Sequence, residues 1–139
     1  MDFIEIETQQ QMEDAFRILK ELAPGIKKER FLESLNHELS KNHKLFGLTS
    51  SGKLVSVAAV WLLMNGLHKK FLWIHAFVTT KNMRSKGFGK KLLLELENYA
   101  YREHFNEIRV HAHRERAIVF WETKAKFESF SHVLKKKII

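Results

Sequence analysis

The sequence predicts a layered α/β fold in which helices flank one mixed, mostly antiparallel β-sheet. Apolar and β-branched runs typical of strands alternate with segments whose apolar residues recur at three- and four-residue steps, as on one face of a helix. Two turn signals join three consecutive strand-like runs, which predicts antiparallel neighbours. The whole order, β-α-α-β-β-β-α-β-α-β, is typical of helices packed on a single sheet.

The first part of the chain is predicted to form a strand and two helices. Residues 2–7 combine apolar and charged side chains, as in a half-buried strand. Thr8 and Gln11 form the pattern of a capping box, so a helix is predicted from there to Pro24–Gly25. The spacing of one phenylalanine and several leucines predicts a second helix at about residues 28–40.

The rest of the chain contains most of the predicted sheet. Strands are predicted at residues 44–49, 54–64 and 67–80, joined by a turn at 50–53 and by the hairpin signal Asn65–Gly66. A long helix at 89–104, a strand at 107–112, a short helix at 117–126 and a last strand at 127–134 complete the prediction.

The composition limits the class of protein. The 139 residues fit one domain, predicted to span 1–139, with an ordinary apolar fraction of 45%. The chain has no cysteine, which excludes a disulfide or a thiolate nucleophile and suits the cytoplasm. We expect no secretory signal, because Asp2, Glu5 and Glu7 stand near the start of the sequence. We expect no membrane span, because the longest apolar run, Leu54–Met64, is too short to cross a bilayer. The net charge of +8 points to an anionic partner: a nucleic acid, an anionic membrane or a phosphorylated cofactor.

A basic, glycine-bearing turn, Arg84–Gly89, joins the strand-like run 71–80 to the long helix. Gly87 and Gly89 permit positive φ and a close approach of the backbone to a ligand. A helix start also presents free N–H groups and the positive end of its dipole to an anion. Strand, turn and helix in this order therefore predict a site for a phosphate-bearing cofactor.

Three other phosphate or nucleic-acid patterns fit this turn less well. A Walker A loop requires a glycine followed by Lys-Ser or Lys-Thr, and neither glycine has that sequence after it. A Rossmann fingerprint requires a third glycine where Leu92 stands. The RNA-binding RNP1 strand shares K-G-F-G with Lys86–Gly89, but the residues that follow have a helical period.

Residues 78–93, V-T-T-K-N-M-R-S-K-G-F-G-K-K-L-L, resemble the acetyl-CoA-binding motif Q/R-x-x-G-x-G/A of the GCN5-related N-acetyltransferase (GNAT) family. Arg84, Gly87 and Gly89 stand at its defined positions, and the element order of nearly the whole chain is similar to the family's. The resemblance implies a GNAT-type acyl-CoA N-acyltransferase fold with acetyl-CoA as cosubstrate. It implies that the coenzyme contacts Phe77, Val78, Arg84, Ser85, Lys86, Gly87, Phe88, Gly89 and Lys90, and that strand 107–112 splays from its neighbour to open a cleft for the thioester.

A second stretch, residues 114–122, resembles the family motif N-x-x-A-x-x-F-Y-E, and Phe127 matches the phenylalanine of a following Gly-Phe pair. The chain differs from the family at three positions: Arg114 replaces the asparagine, Trp121 the tyrosine and Lys126 the glycine. That tyrosine often protonates the leaving thiolate in the family, and an indole cannot act as that acid.

The candidate catalytic base is His75, three residues before Val78, whose backbone N–H is placed to stabilise an oxyanion. The competing interpretation is a histidine hydrogen-bonded within the sheet. His111 and His113 share one strand face and either line the cleft or lie on the surface. With His132 they lack the carboxylate and cysteine partners of a metal site, so we expect no metal.

The resemblance implies direct transfer of acetyl to a primary amine of an unidentified small molecule or peptide, because a chain without cysteine cannot form a cysteine acyl-enzyme. Family members place the acceptor beside loops that correspond here to residues 24–30 and 65–69, and a homodimer is a family-level expectation. Two alternatives stay open. Trp121 and Arg114 suit a catalytically weak acetyl-CoA-binding module, and the basic charge suits a nucleic-acid-binding protein, the less favoured of the two.

Overall fold

In the computed structural model, five strands form one mixed sheet in the spatial order β1-β2-β3-β4-β5. The strands are β1 (Asp2–Glu5), β2 (His43–Ser50), β3 (Lys53–Met64), β4 (Lys70–Thr79) and β5 (Glu107–Val110). The first four pair antiparallel, and β5 runs parallel to β4. The structure describes residues 1–38, 42–64, 66, 69–112 and 115–139. Asn65 of the predicted hairpin turn, His113 and Arg114 therefore lie outside the described residues.

The helices are α1 (Gln9–Leu22), α2 (Lys28–Glu38), α3 (Phe88–Arg102) and α4 (Glu115–Val119), and α4 continues into a π-helical turn, Phe120–Lys124. The predicted capping box is confirmed: Thr8 Oγ1 accepts from the Gln11 N–H at 3.1 Å, and Gln11 Oε1 accepts from the Thr8 N–H at 3.0 Å. Over the described part of the chain, no helix has the length and apolar character needed to cross a membrane.

The helices bury both faces of the sheet, which confirms the predicted mixed sheet flanked by helices. On one face, α1 and α2 pack Ile18, Leu19 and Leu35 against alternate residues of the strands, including Leu45 and Val57. On the other face, α3 packs against the residues in between. The members of this second cluster include Phe46, Val60, Ile74, Leu92 and Leu96. In both layers, strand side chains that alternate with a period of two pack against helix side chains that recur with a period of 3.6 residues.

The predicted strand at 127–134 is wrong. Residues 125–139 have no regular secondary structure, and all of residues 128–139 are exposed. Alternating apolar residues form a strand only where a neighbouring strand accepts their backbone hydrogen bonds and a layer covers their apolar face. Neither condition is met for this segment, and its aromatic contact with β5 is the Phe130 ring beneath the Arg109 guanidinium, 4.8 Å away. The strand pattern in the sequence does not supply the partner that a strand requires.

Candidate functional site

A gap opens between β4 and β5 in the middle of the sheet. Their pairing runs from Phe71–Glu107 to Ile74–Val110 and stops, although β4 continues to Thr79. His75 is the first β4 residue past the last pair. It is also the extra residue of a β-bulge, because Val60 of β3 pairs with Ile74 and Ala59 pairs with Ala76. The register with β3 therefore skips His75, and the register with β5 ends before it.

A cavity of about 820 Å³ occupies this gap. One side of the cavity is the part of β4 that does not pair with β5, including His75 and Phe77. One end of the cavity is the turn before α3. Its other side is formed by the end of β5 and by α4 with its π-helical turn, which contribute His111 and Trp121. A cavity of this size, bounded by a sheet edge and a helix start, has room for an elongated ligand.

The turn before α3 has the geometry of an anion cradle. Ser85 and Gly87 have positive φ, 63° and 86°, and Gly87 is the N-cap of α3. The first hydrogen bond of α3 runs from the Lys91 N–H to the Gly87 carbonyl at 3.0 Å. The N–H groups at the helix start before Lys91 therefore have no i−4 carbonyl within the helix. A Cβ built on Gly87 meets no atom within 4 Å, so the turn faces open space.

Glu21, near the end of α1, holds this turn in place. Its carboxylate accepts hydrogen bonds from the Thr80 hydroxyl at 2.6 Å and from the Lys81 N–H at 2.8 Å. It also pairs with the Arg84 guanidinium at 3.3 Å, and Arg84 Nε donates to the Thr79 carbonyl at 2.9 Å. The side chain of Arg84 therefore braces the turn. Sequence reasoning missed Glu21, since nothing local connects it to residues about 60 positions later.

The structure brings most of the sequence-predicted residues to one cavity. The cavity is lined by His75, Phe77, Arg84, Ser85, Gly87, Phe88, Gly89 and Lys90. Two predicted residues have side chains elsewhere. The side chain of Val78 is buried with the α1 layer. Its N–H faces β3, because the Thr80 N–H, two residues later, donates to the Val55 carbonyl of β3 at 2.8 Å. The side chain of Lys86 is exposed outside the cavity wall.

His75 is hydrogen-bonded to a second histidine that sequence reasoning did not single out. His43 of β2 is 2% exposed, and its Nε2 lies 2.7 Å from Nε2 of His75. The indole of Trp61 on the intervening strand stacks on the His43 ring, with centroids 4.2 Å apart. The competing interpretation of His75, a histidine hydrogen-bonded within the sheet, is thus correct in its geometry, yet the His75 side chain is exposed and lines the cavity.

Trp121 forms part of the cavity wall opposite β4, within an aromatic cluster. It is 6% exposed and packs edge-on against Phe77, Phe120 and Phe127, with ring centroids 5.0–5.1 Å away. Tyr99 lies elsewhere: its ring packs on Phe46 in the core under α3. Burial, followed by the nearby Glu103, raises the pKa of the Tyr99 phenol, which stays protonated at neutral pH.

The other histidines considered from the sequence are dispersed. His111 lines the cavity at the end of β5, while His132 is exposed in the C-terminal segment. Within the described residues, no three His, Asp or Glu side chains come close enough to hold a metal ion. Next to His111 on the same strand face, Arg109 donates hydrogen bonds to Glu107 and thereby holds the pKa of that carboxyl below its ordinary value.

Residues 10–127 match the model of the acetyltransferase (GNAT) family. A search of the curated proteins finds no match. Among solved structures, an acetyltransferase described as putative from Agrobacterium tumefaciens is 14% identical, with 99% of this chain and 100% of that chain covered and a TM-score of 0.83. AAC(6')-Iy in complex with the bisubstrate analog CoA-S-monomethyl-acetylneamine is 17% identical, with coverage of 99% and 97% and a TM-score of 0.81. A ribosomal-protein-alanine N-acetyltransferase from Brucella melitensis is 16% identical, with coverage of 98% and 98% and a TM-score of 0.80. At these low sequence identities, the three structures show that the chain shares their fold and show nothing about its substrate.

Proposed function

The chain belongs to the GNAT acetyltransferase family, and on that premise we propose that it is an N-acetyltransferase that moves an acetyl group from acetyl-CoA directly to a primary amine. Residues 1–139 act as one domain in this proposal. The observation that carries it is the cavity between β4 and β5, which joins an anion cradle at one end to a histidine at the other. These are the two ends that a phosphate-bearing thioester and its amine acceptor require.

The coenzyme fits the turn before α3. In this proposal the N–H groups of Phe88, Gly89 and Lys90 donate to the pyrophosphate oxygens, and the positive end of α3 adds electrostatic attraction. Gly87 leaves room for those oxygens, because its backbone faces open space where a side chain would otherwise project. Lys86 and Lys90 supply long-range attraction from an exposed rim. The bound coenzyme supplies the activated acetyl group.

The free edge of β4 orients the reacting end. Past Ile74 the strand has no pairing with β5, so the backbone groups of Phe77, which face the unpaired edge, are available to an extended pantetheine arm. The Phe77 N–H, rather than the Val78 N–H expected from the sequence, is our candidate donor to the thioester oxygen as negative charge develops there. His75, on the cavity wall, accepts the proton that the attacking amine loses, directly or through one water.

The leaving thiolate has no phenol to protonate it in this proposal. Trp121 occupies the position where family members often have tyrosine, and its indole is buried in aromatic packing. We propose that solvent entering the open cavity protonates the sulfur. Because a free thiol loses its proton only near pH 8.5, this step does not require a dedicated acid at neutral pH.

The acceptor is a primary amine on a small molecule or a peptide. Both classes occur among the structural neighbours, in AAC(6')-Iy with its acetylneamine analog and in the ribosomal-protein-alanine N-acetyltransferase. Those activities belong to those proteins, and at 17% and 16% identity neither one selects the acceptor here. The acceptor enters from the His75 side of the cavity, opposite the cradle.

The test has two stages. Acetyl-CoA is titrated into the protein by calorimetry, and free thiol release is then followed against a panel of aminoglycosides, polyamines and peptides with free N-termini. Saturable binding and amine-dependent thiol release are expected. Failure to bind acetyl-CoA would remove the coenzyme site and the enzyme together.

Trp121 also favours a second candidate function, a coenzyme-binding module with little catalysis. Its buried indole removes the acid that family members often use. Binding of acetyl-CoA without thiol release on any amine of the panel is the result that would select the module over the enzyme.

A further inference from the structure

We infer that His43 and His75 form one proton-accepting pair, in which buried His43 positions His75 and stabilises the charge that His75 gains with the proton of the acceptor amine. The inference rests on the proposed function and extends it to a residue outside the cavity wall. The two Nε2 atoms lie 2.7 Å apart, the distance of a direct hydrogen bond.

The fold holds this pair from three strands. His43 lies on β2 opposite Trp61 of β3, and Trp61 lies opposite Trp73 of β4. The β-bulge in β4 places His75 so that its ring reaches back across β3 to His43, with ring centroids 5.0 Å apart. The Trp61 indole stacks on the His43 ring and fixes the plane of that ring. His43 therefore has little freedom, and a hydrogen bond to it limits the rotation of His75.

The chemistry of two facing Nε2 atoms restricts the charge of the pair. One ring must present Nε2–H and the other an Nε2 lone pair, so the hydrogen bond survives the gain of one proton but not of two. When His75 becomes an imidazolium, its Nε2–H donates to the lone pair of His43. This charge-assisted bond is stronger than the neutral one, and the indole face next to His43 favours positive charge. The hydrogen bond to His43 therefore favours the protonated form of His75 relative to a His75 that lacks this partner.

Other charges at the cavity act against that protonation. Four titratable or charged groups of the described residues line the cavity around His75. They are His111 just after β5, Arg84 of the turn, Lys90 of α3 and Lys124 of the π-helical turn. The contribution of α1 to this wall is the apolar Leu22. Since all four groups are cationic or able to become so, the hydrogen bond to His43 is the feature of the pair that offsets their repulsion.

Atoms and charges balance in the proposed step. The amine nitrogen forms a bond to the acetyl carbon, and the carbon–sulfur bond breaks with its electrons leaving on sulfur. The proton lost by the amine goes to Nδ1 of His75, because its Nε2 faces His43, and the Nε2–H of the resulting imidazolium is shared with His43. The thiolate takes one proton from solvent, and the pair returns one proton to solvent, which restores the neutral pair.

The first test measures the pair without any acceptor. The imidazole nitrogens are followed by NMR through a pH titration of the wild-type protein and of His43→Leu. Coupling predicts that the two rings respond together to one proton, and that His75 in His43→Leu titrates about one pH unit lower, as loss of a charge-assisted hydrogen bond implies. Independent titration of the two rings, or an unchanged His75 in the variant, would overturn the inference.

The second test measures the role of the pair in catalysis. In His43→Leu we expect kcat to fall about tenfold to a hundredfold, the KM for acetyl-CoA to stay within about twofold, and the acidic limb of the kcat/KM profile to move to lower pH. His43→Gln keeps a hydrogen-bond acceptor for His75 but cannot take a proton. It should recover part of kcat, and it is the fallback if the leucine variant does not fold. His132→Leu, an exposed histidine, is the matched control and should resemble the wild type.

The outcomes separate the two proposals. Normal turnover with a wild-type pH profile in both His43 variants leaves the acetyltransferase proposal intact and overturns the pair. A wild-type protein that releases no thiol on any amine overturns the proposed function, and with it the catalytic role of the pair, even if the NMR titration is coupled.

Discussion

Two parts of the cavity wall, a polar end at the turn before α3 and a packed end after α4, are held in place by different forces. The turn before α3 is fixed by polar contacts: Glu21 accepts three hydrogen bonds from it, and two of its residues have left-handed backbone. The segment after α4 is fixed by aromatic packing around Trp121, and past Phe127 its residues are exposed. Directional contacts preset the end proposed to bind phosphates. Non-directional packing is enough for the end that only has to form a wall, and substitutions at the two ends should therefore fail in different ways.

The largest expected effect is at the packed end. Trp121→Ala removes the centre of the aromatic cluster and should lower the free energy of unfolding by about 3–5 kcal/mol, as for other buried tryptophans. Urea denaturation followed by circular dichroism measures it. Trp121→Phe retains part of the packing and should cost clearly less. A loss below about 1 kcal/mol for the alanine variant would mean that the cluster does not hold this end together.

At the polar end, Gly87→Glu should lower acetyl-CoA affinity at least about a hundredfold, or about 2.7 kcal/mol. The new carboxylate enters the space proposed for the pyrophosphate, and a side chain at φ 86° adds strain. Calorimetric titration measures the affinity.

Gly52→Glu is the matched control for that variant. Gly52 also has positive φ, 76°, and a Cβ at this position would meet no atom within 4 Å, but the residue lies in the turn between β2 and β3. Both variants should lose similar stability, and only Gly87→Glu should lose the coenzyme. Unchanged affinity in Gly87→Glu would place the coenzyme elsewhere.

A smaller effect is expected from Glu21→Ala. Losing the hydrogen bonds from Thr80 and Lys81 loosens the turn, whereas the exposed ion pair with Arg84 contributes little. We expect acetyl-CoA affinity to fall about fivefold, or about 1 kcal/mol, with little change in thermal stability. Glu21→Gln, which keeps an amide oxygen for the Lys81 N–H, should lose less. Tighter binding in the alanine variant would show that the Glu21 charge repels the coenzyme more than its hydrogen bonds order the turn.

The smallest effect is a gain in stability at Lys126. This residue has φ 61° at the end of the π-helical turn, where the Phe127 N–H donates to the Trp121 carbonyl at 2.8 Å. Glycine removes the left-handed strain but has more freedom in the unfolded chain, so Lys126→Gly should stabilise by about 0.5 kcal/mol. Differential scanning calorimetry should show a higher Tm, and a lower Tm would mean that the Lys126 side chain stabilises this end. The left-handed backbone at residue 126 thus explains why the family motif has a glycine at this position.

Local patterns predicted most of the fold because their partners are local or periodic. The Thr8–Gln11 capping box and the apolar face of α3 each lie within one element. The predicted strand at 127–134 failed because a strand depends on a partner that its own residues do not encode. The same limit applies to the site: the glycine turn is contiguous and was found, whereas Glu21 and His43 lie 63 and 32 residues from their partners Arg84 and His75.

The sequence by itself determined the order of elements, the glycine turn before α3 and, through residues 10–127, the acetyltransferase family. Only the tertiary structure decided which groups act on that turn and on His75. The end of the β4–β5 pairing at Ile74 opens the cavity, the bulge directs His75 to His43, and Glu21 of α1 reaches the turn. The physical reason is that hydrogen bonds and packing act over a few ångströms in space, so side chains far apart in the chain become neighbours only when the sheet and its helices assemble.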